Sequence, residues 1–337
     1  MNITGEEKLY PFKFQPIYME RVWGGTMMSE HLGRELPPAD ALIGESWELV
    51  DRDDVQSVVC NGELAGVTLQ ELVQKFGASL IGRGIQERKK FPLMVKLIDA
   101  GERLSLQVHP DEKACREIGG GAEPKTEMWY VLSAEKGAKI YVGLKSTTTR
   151  QKFLAHLNSA EMENDIQSFD SYPGDAYFIK AGRPHMIGAG NLLLEIQQNS
   201  DTTYRVYDWN RLGPDGKPRE LHLEQAVACT DFMDRTVARI SGVSGEVGHN
   251  RKYPIINRCQ FFHCEDLKLI SEWRSTTAGH PGSCHILTAV NAPFDVGNEK
   301  FRTEVQPGTS VLIPACFGEY TIKVTEGITT SIVRTTL

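Results

Sequence analysis

Short apolar or alternating runs, separated by Gly and Pro, recur along most of the chain. A period of two is the mark of strands that bury one face. Such runs predict strands over 47–50, 93–98, 139–142, 192–198, 261–269 and 285–290. Others predict strands over 104–110, 126–132 and 176–187, the last entered through Pro173-Gly174 and closed at Gly190-Asn191. Helical periodicity is sparse. It covers 69–76, where Leu69, Leu72, Val73 and Phe76 share a face and Thr68 with Glu71 forms a capping box. Helices are also predicted over 150–157 and 223–231. The pattern is that of a mainly β protein, a barrel or sandwich with a few helices.

A length of 337 residues leaves room for two domains. The run Ser-Gly-Val-Ser-Gly-Glu-Val-Gly lies in a predicted linker at 241–251, which divides a first domain, 1–240, from a strand-rich second domain, 250–337. Pro173-Gly-Asp-Ala-Tyr-Phe-Ile179 is echoed by Pro307-Gly-Thr-Ser-Val-Leu-Ile313, which without gaps sets His185 opposite Glu319. The echo reads either as a second barrel that has lost its site or as a chance recurrence of Pro-Gly before an apolar strand.

The strand pattern brings chemistry together. Residues two apart on a strand share a face, so Gln107 and His109 stand side by side while Val108 turns away. Glu127 opens a second strand and His185 ends a third. Two imidazoles, a carboxylate and an amide oxygen suit a divalent cation; zinc accepts this mixture and keeps a position open at catalytic sites. The seven cysteines, at 60, 115, 229, 259, 264, 284 and 316, show no CxxC spacing, which argues against a cysteine-ligated zinc or a disulfide framework. The lone histidines 31, 156, 249, 263, 280 and 285 are assigned structural places. His222 stays open, because it follows closely on the Arg205 segment.

The net charge of −7 argues against nucleic-acid binding. The polar start of the chain has no signal-peptide core, and no apolar run is long enough to span a membrane. A cytoplasmic protein, monomeric by default, is expected.

Two elements resemble the cupin pattern: Glu127-Met-Trp-Tyr-Val-Leu132, and Pro173-Gly174-Asp175 followed by Ala181-Gly-Arg-Pro-His185. Gln107 stands where most cupins carry histidine, and the insertion 110–126 separates His109 from Glu127. With YMERVWGG (18–25), GESWEL (44–49), SLQVHP (105–110), KTEM (125–128) and QNSDTTYRVYDW (198–209), these features resemble the type I mannose-6-phosphate isomerases in short form. The resemblance implies cupin-type jelly-roll barrels and a zinc ion held by Gln107, His109, Glu127 and His185. It implicates Lys125 and Arg205 in catalysis, and Ser105 and Lys96 in seating a sugar phosphate. The activity implied is interconversion of mannose 6-phosphate and fructose 6-phosphate through an enediol.

On strand 192–198, Glu195 shares a face with Leu193 and Gln197, so an inward-facing Glu195 is the candidate base; an outward surface ion pair is the alternative. Trp129, on the Glu127 face of its strand, is the candidate wall for the sugar. Two other classes of function fit a His₂-carboxylate barrel: a non-haem iron dioxygenase and a non-catalytic sugar-phosphate-binding protein.

Overall fold

A computed structural model describes residues 9–37, 42–82, 89–213, 215–242, 247–279 and 282–337. His280 and part of the predicted linker lie outside these residues. Contacts gather the chain into two compact units, Tyr18–Ser46 with Val95–Ser244, and Met1–Ile17 with Trp47–Met94 and Gly245–Leu337. The second unit is therefore assembled from three stretches, not from 250–337 alone. One physical reason is that Phe12 and Lys13 pair with Leu312 and Val311, which draws the start of the chain to a C-terminal sheet.

The hairpin-linked strands pair antiparallel, as their turns predict, Glu127–Ala134 lying between Ala176–Ile179 and Asn191–Gln198 in this way. A seven-stranded sheet runs Arg239–Ile240, Ala176–Ile179, Glu127–Ala134, Asn191–Gln198, Leu93–Ala100, Ile43–Leu49, Ile17–Glu20. A five-stranded sheet runs Tyr204–Tyr207, Leu106–Val108, His185–Ile187, Lys139–Leu144, Ile166–Asp170. The C-terminal strands make a six-stranded and a four-stranded sheet. This is a mainly β, cupin-type architecture. Among the described residues no helix is long and apolar enough to cross a membrane.

Residues 176–187 form two strands, not one. Ala181-Gly182-Arg183-Pro184 turns the chain from Ala176–Ile179 in one sheet to His185–Ile187 in the other. Pro184 offers no N–H for a ladder, and Gly182, at φ 84°, takes a left-handed conformation. His185 thus opens a strand instead of ending one. The insertion 110–126 carries an unforeseen helix, Glu112–Ile118, capped by the Asp111 side chain on Ala114 N.

Parity along the strands builds the interior of the first unit. Trp129, Val131, Tyr177, Ile179, Leu193 and Ile98 from one sheet meet Ile140, Val142 and Ile187 from the other in a single buried cluster. Gly25 is fixed by close approach: a Cβ there would collide with the Asp99 carboxylate, which accepts a 2.7 Å bond from Met28 N. That bond holds the first turn of the helix Met27–Leu32.

The helix Leu69–Ile81 continues past the predicted 69–76 through a kink at Gly77, and its capping box is present. Thr68→Ala should destabilise it by about 1 kcal/mol, read as an earlier urea midpoint followed by circular dichroism. An unchanged midpoint would mean that the cap contributes nothing.

Candidate metal centre

The parity that sends Trp129 and Val131 into the core also sends Glu127 inward, at the end of the same strand. Ile187 and His185 stand in the same relation on theirs, as do Leu193 and Glu195. A polar layer therefore closes one end of the apolar interior, contributed by both sheets. His185 lies directly across from Gln107 in the five-stranded ladder, and Arg205 flanks Gln107 on its other side. Glu127 is paired with Gln197 and Trp129 with Glu195 in the other sheet.

His109, Glu127 and His185 are buried, and their ligand atoms all lie within 4.8 Å of one another. His109 Nε2 is 3.5 Å from Glu127 Oε2, and His185 Nε2 is 3.4 Å from Glu127 Oε1. Ligands about 2.0–2.1 Å from a tetrahedral zinc stand about 3.3 Å apart, so these separations fit an ion of that size. Each imidazole is oriented from behind. His109 Nδ1 donates to Thr202 O at 2.9 Å and His185 Nδ1 donates to Arg183 O at 2.8 Å, which leaves both Nε2 lone pairs facing the carboxylate. His109 Nε2 and both Glu127 oxygens are buried without a hydrogen bond. Orphaned acceptors in that number are what a bound cation satisfies.

Gln107 joins the cluster, with its amide nitrogen 3.2 Å from His185 Nε2 and its oxygen 3.5 Å from Ser105 Oγ. To serve as a ligand the amide has to turn its oxygen inward. Lys125 Nζ stands 3.0 Å from Glu127 Oε2, a buried ion pair without hydrogen-bond alignment.

Burial opposes charge on every one of these groups, and the neighbours decide the outcome. Burial, with the Lys125 ammonium beside it, pushes His109 down to about 3. Burial lowers His185 as well, against the pull of Glu127. For Glu127 burial works upward, but Lys125 and the two imidazoles outweigh it and hold the carboxyl well below its ordinary range. Lys125 is raised, because Glu127 and Glu195 overcome its desolvation. Two neutral imidazoles and an ionised carboxylate are the protonation states that a cation requires.

Glu195 faces inward. Its Oε2 accepts a 2.8 Å bond from Trp129 Nε1, and Lys96 Nζ lies 3.8 Å from Oε1. Burial, then the Glu127 charge, raises it to about 6. Trp129 departs from the expected sugar wall. Only 1% exposed, it packs in the core, edge-on to His185, with its N–H committed to Glu195. Lys96 is buried against Glu195 and does not reach the surface. Arg205 is half-buried, donates through Nη1 to Glu220 O at 2.8 Å, and keeps Nε without a partner. His222 accepts from Arg205 N at 3.3 Å and donates its own N–H to Arg205 O at 2.8 Å, which makes it a support of that strand.

The backbone carbonyls of Thr202 and Arg183, which orient the two histidines, escaped the sequence reading. Arg183 is itself locked, by Nη1 on Phe178 O at 2.6 Å and Nε on Asp234 at 2.8 Å. A buried Arg inside a Gly-Arg-Pro turn was the available signal.

A histidine–carboxylate layer closing an antiparallel β-barrel defines a cupin-type metal-binding protein. Residues 11–137 match the family described as phosphomannose isomerase type I, catalytic domain. The chain is 33% identical over 317 residues to the probable mannose-6-phosphate isomerase GmuF of Bacillus subtilis, covering 93% of this chain and 96% of that one. It is 38% identical over 217 residues to mannose-6-phosphate isomerase ManA of the same organism, 64% of this chain and 67% of the other. A crystal structure of mannose 6-phosphate isomerase from Bacillus subtilis superposes with a TM-score of 0.85 at 28% identity, over 97% of this chain and 100% of that one. The chain belongs to the type I phosphomannose isomerase family. That membership favours neither the dioxygenase nor the non-catalytic reading.

His109→Ala and His185→Ala should each abolish stoichiometric metal, measured by elemental analysis after dialysis, while the far-ultraviolet spectrum is kept. Full metal content in either variant would remove that histidine from the ligand set.

Proposed function

We propose that the protein interconverts mannose 6-phosphate and fructose 6-phosphate, with Zn²⁺ held by Gln107, His109, Glu127 and His185. The observation that carries this reading is the pairing of a preset cation site with an inward carboxylate, Glu195, on the strand beside Glu127. We take the enzyme to work in the cytoplasm, on a free sugar phosphate, as a monomer.

The reaction moves one proton between C2 and C1. Glu195 takes the C2 proton of the open-chain aldose as O1 gains a proton, and returns it to C1 of the enediol as O2 loses one, so the hydroxyl proton passes from O2 to O1 and the carboxylate ends the turnover ionised. A bound zinc supplies electrophilic charge to the sugar oxygens. Lys125 is held as an ammonium by Glu127 and Glu195, so its part is to stabilise negative charge developing on O1 or O2. Lys96 and Trp129 fix the two Glu195 oxygens. Trp129 therefore positions the base, and Lys96 does so in addition to any hold on the substrate. Arg205 pairs with the half-buried Gln107 in the ladder and Ser105 Oγ is 3.5 Å from its amide oxygen; in this reading the two meet the phosphate or a sugar hydroxyl, and a guanidinium fork grips such oxyanions at two points.

Glu195 works as a base only when ionised. Below its pKa it carries a proton, so kcat/KM should fall as pH falls through about 6. A bound cation adds positive charge and moves this limb lower, never higher. Glu195→Gln should reduce kcat by about 10²–10⁴ with metal retained; wild-type turnover would assign the proton transfer elsewhere.

Arg205→Ala should cut turnover of mannose 6-phosphate and leave bound metal in place. A coupled assay beside elemental analysis separates the two effects, and loss of metal would reassign Arg205 to supporting the ligands.

A further inference from the structure

The C-terminal strands repeat the frame of the metal centre with other side chains in it. In the first barrel Val131 N donates to Asp175 O at 2.8 Å, and Gly174 N donates to Val131 O at 2.9 Å. In the second, Ala289 N donates to Thr309 O at 3.1 Å, and Gly308 N donates to Ala289 O at 2.8 Å. Both glycines sit at positive φ, 92° and 74°. Glu127 pairs with Ile179 in one ladder, and His285 pairs with Ile313 in the other. The repeat seen in the sequence is therefore a shared strand–turn–strand frame, and His285 occupies the place that Glu127 takes. Beneath it the parity repeats too: Leu287 and Ala289 enter an apolar core with Leu267, Val311 and Ile332.

A cavity of about 370 Å³ opens at this polar end, lined by Asn257, His263, Glu265, His285 and Arg334 among others. Small-molecule sites typically span about 300–1,000 Å³. His285 is 8% exposed, and its Nδ1 lies 2.6 Å from the Tyr320 hydroxyl. Arg334 Nη1 donates to Ser275 Oγ at 2.9 Å, next to Tyr320 in the ladder. The other ring nitrogen, Nε2, has no hydrogen bond among the described residues, so it is left to donate to or accept from a ligand. Burial, reinforced by Arg334, holds the ring down at about 4, so it is a neutral imidazole.

On the opposite wall the one carboxylate is held by two cations. Arg334 binds Glu265 through Nε at 2.8 Å and through Nη2, and Lys252 Nζ stands 3.1 Å from the other Glu265 oxygen. A phosphate placed here would meet the Glu265 carboxylate. A divalent ion finds no cluster either, since the ligand atoms gather only at His109, Glu127 and His185 among the described residues. What remains is a neutral imidazole nitrogen beside a paired carboxylate and guanidinium, an arrangement that suits hydroxyl groups, which donate and accept at once.

We propose that this cavity binds a neutral polyhydroxylated molecule the size of one or two sugar rings. The inference goes beyond the isomerase reading and does not rest on it.

The test is titration of the metal-loaded enzyme with D-mannose and with a mannose disaccharide, by calorimetry and saturation-transfer NMR, under saturating fructose 6-phosphate. Binding of at least one of the two sugars should persist under those conditions. It should weaken tenfold or more in His285→Phe and in Asn257→Trp, the latter altering an exposed residue at the rim. Turnover of mannose 6-phosphate should stay within twofold of wild type in both. Absence of binding by both sugars, displacement by fructose 6-phosphate, or indifference to both substitutions would overturn the proposal. Uptake of a second equivalent of fructose 6-phosphate at the same cavity would overturn its neutral ligand class. Because the readout is binding, loss of isomerase activity would leave this test intact.

Discussion

A carboxylate with no access to water governs the first barrel. Glu127 is 0% exposed and ionised, with neutral imidazoles on two sides and one ammonium at 3.0 Å. Removing an ion from water costs several kcal/mol even after relaxation. Lys125 offsets part of that cost, and a bound cation would offset more of it. Glu195, Lys96 and Lys125 complete the charge pattern, two carboxylates against two ammoniums in a buried layer. In the proposed reaction a divalent ion would tip the layer positive, favouring ionised Glu195 and an enediolate over a neutral sugar. Structure and chemistry meet in that imbalance.

The barrel delivers these groups through a single geometric rule. On each contributing strand, one parity is apolar at depth and polar at the end, so no extra loop is needed to aim Glu127, Glu195 or His185. Backbone then does the fine orientation. The Thr202 and Arg183 carbonyls fix the imidazole tautomers, and Gly182 N ties the turn back to His109 O at 2.8 Å. The second barrel uses the same rule with Leu287, Leu267 and Ile332 at depth and His285, Glu265 and Arg334 at the end. At that end Glu265 is held by Arg334 and Lys252, so it is not left bare as Glu127 is.

Much of this was legible in the chain because period two is a strict signal. Gln107 and His109 on one face, Glu127 with Trp129, and Glu195 with Leu193 all follow from alternation. The Thr68–Glu71 cap follows from side-chain chemistry alone. Other features had no such signal. Whether 176–187 is one strand or two depends on how the Gly-Arg-Pro turn meets His109, a contact made across the fold. Trp129 looked available to a sugar because parity gives a face and not a depth. The interleaving of the two units depends on Phe12 finding Leu312, a pairing between the two ends of the chain. Carbonyls that orient the histidines belong to the backbone and leave no mark of their own on residue type.

The most direct test of the preset site is the proton count on zinc binding to the apo-protein at pH 6, obtained by calorimetry in buffers of different ionisation enthalpy. With His109 neutral, His185 lowered by its burial and Glu127 ionised, total release should fall well short of one proton, most of it from Glu195, which is about half ionised at that pH. Histidines with ordinary pKa values of about 6.5 would together release about 1.5 protons at that pH. A release of that size would contradict a site whose burial and charges prepare it for the metal before the metal arrives.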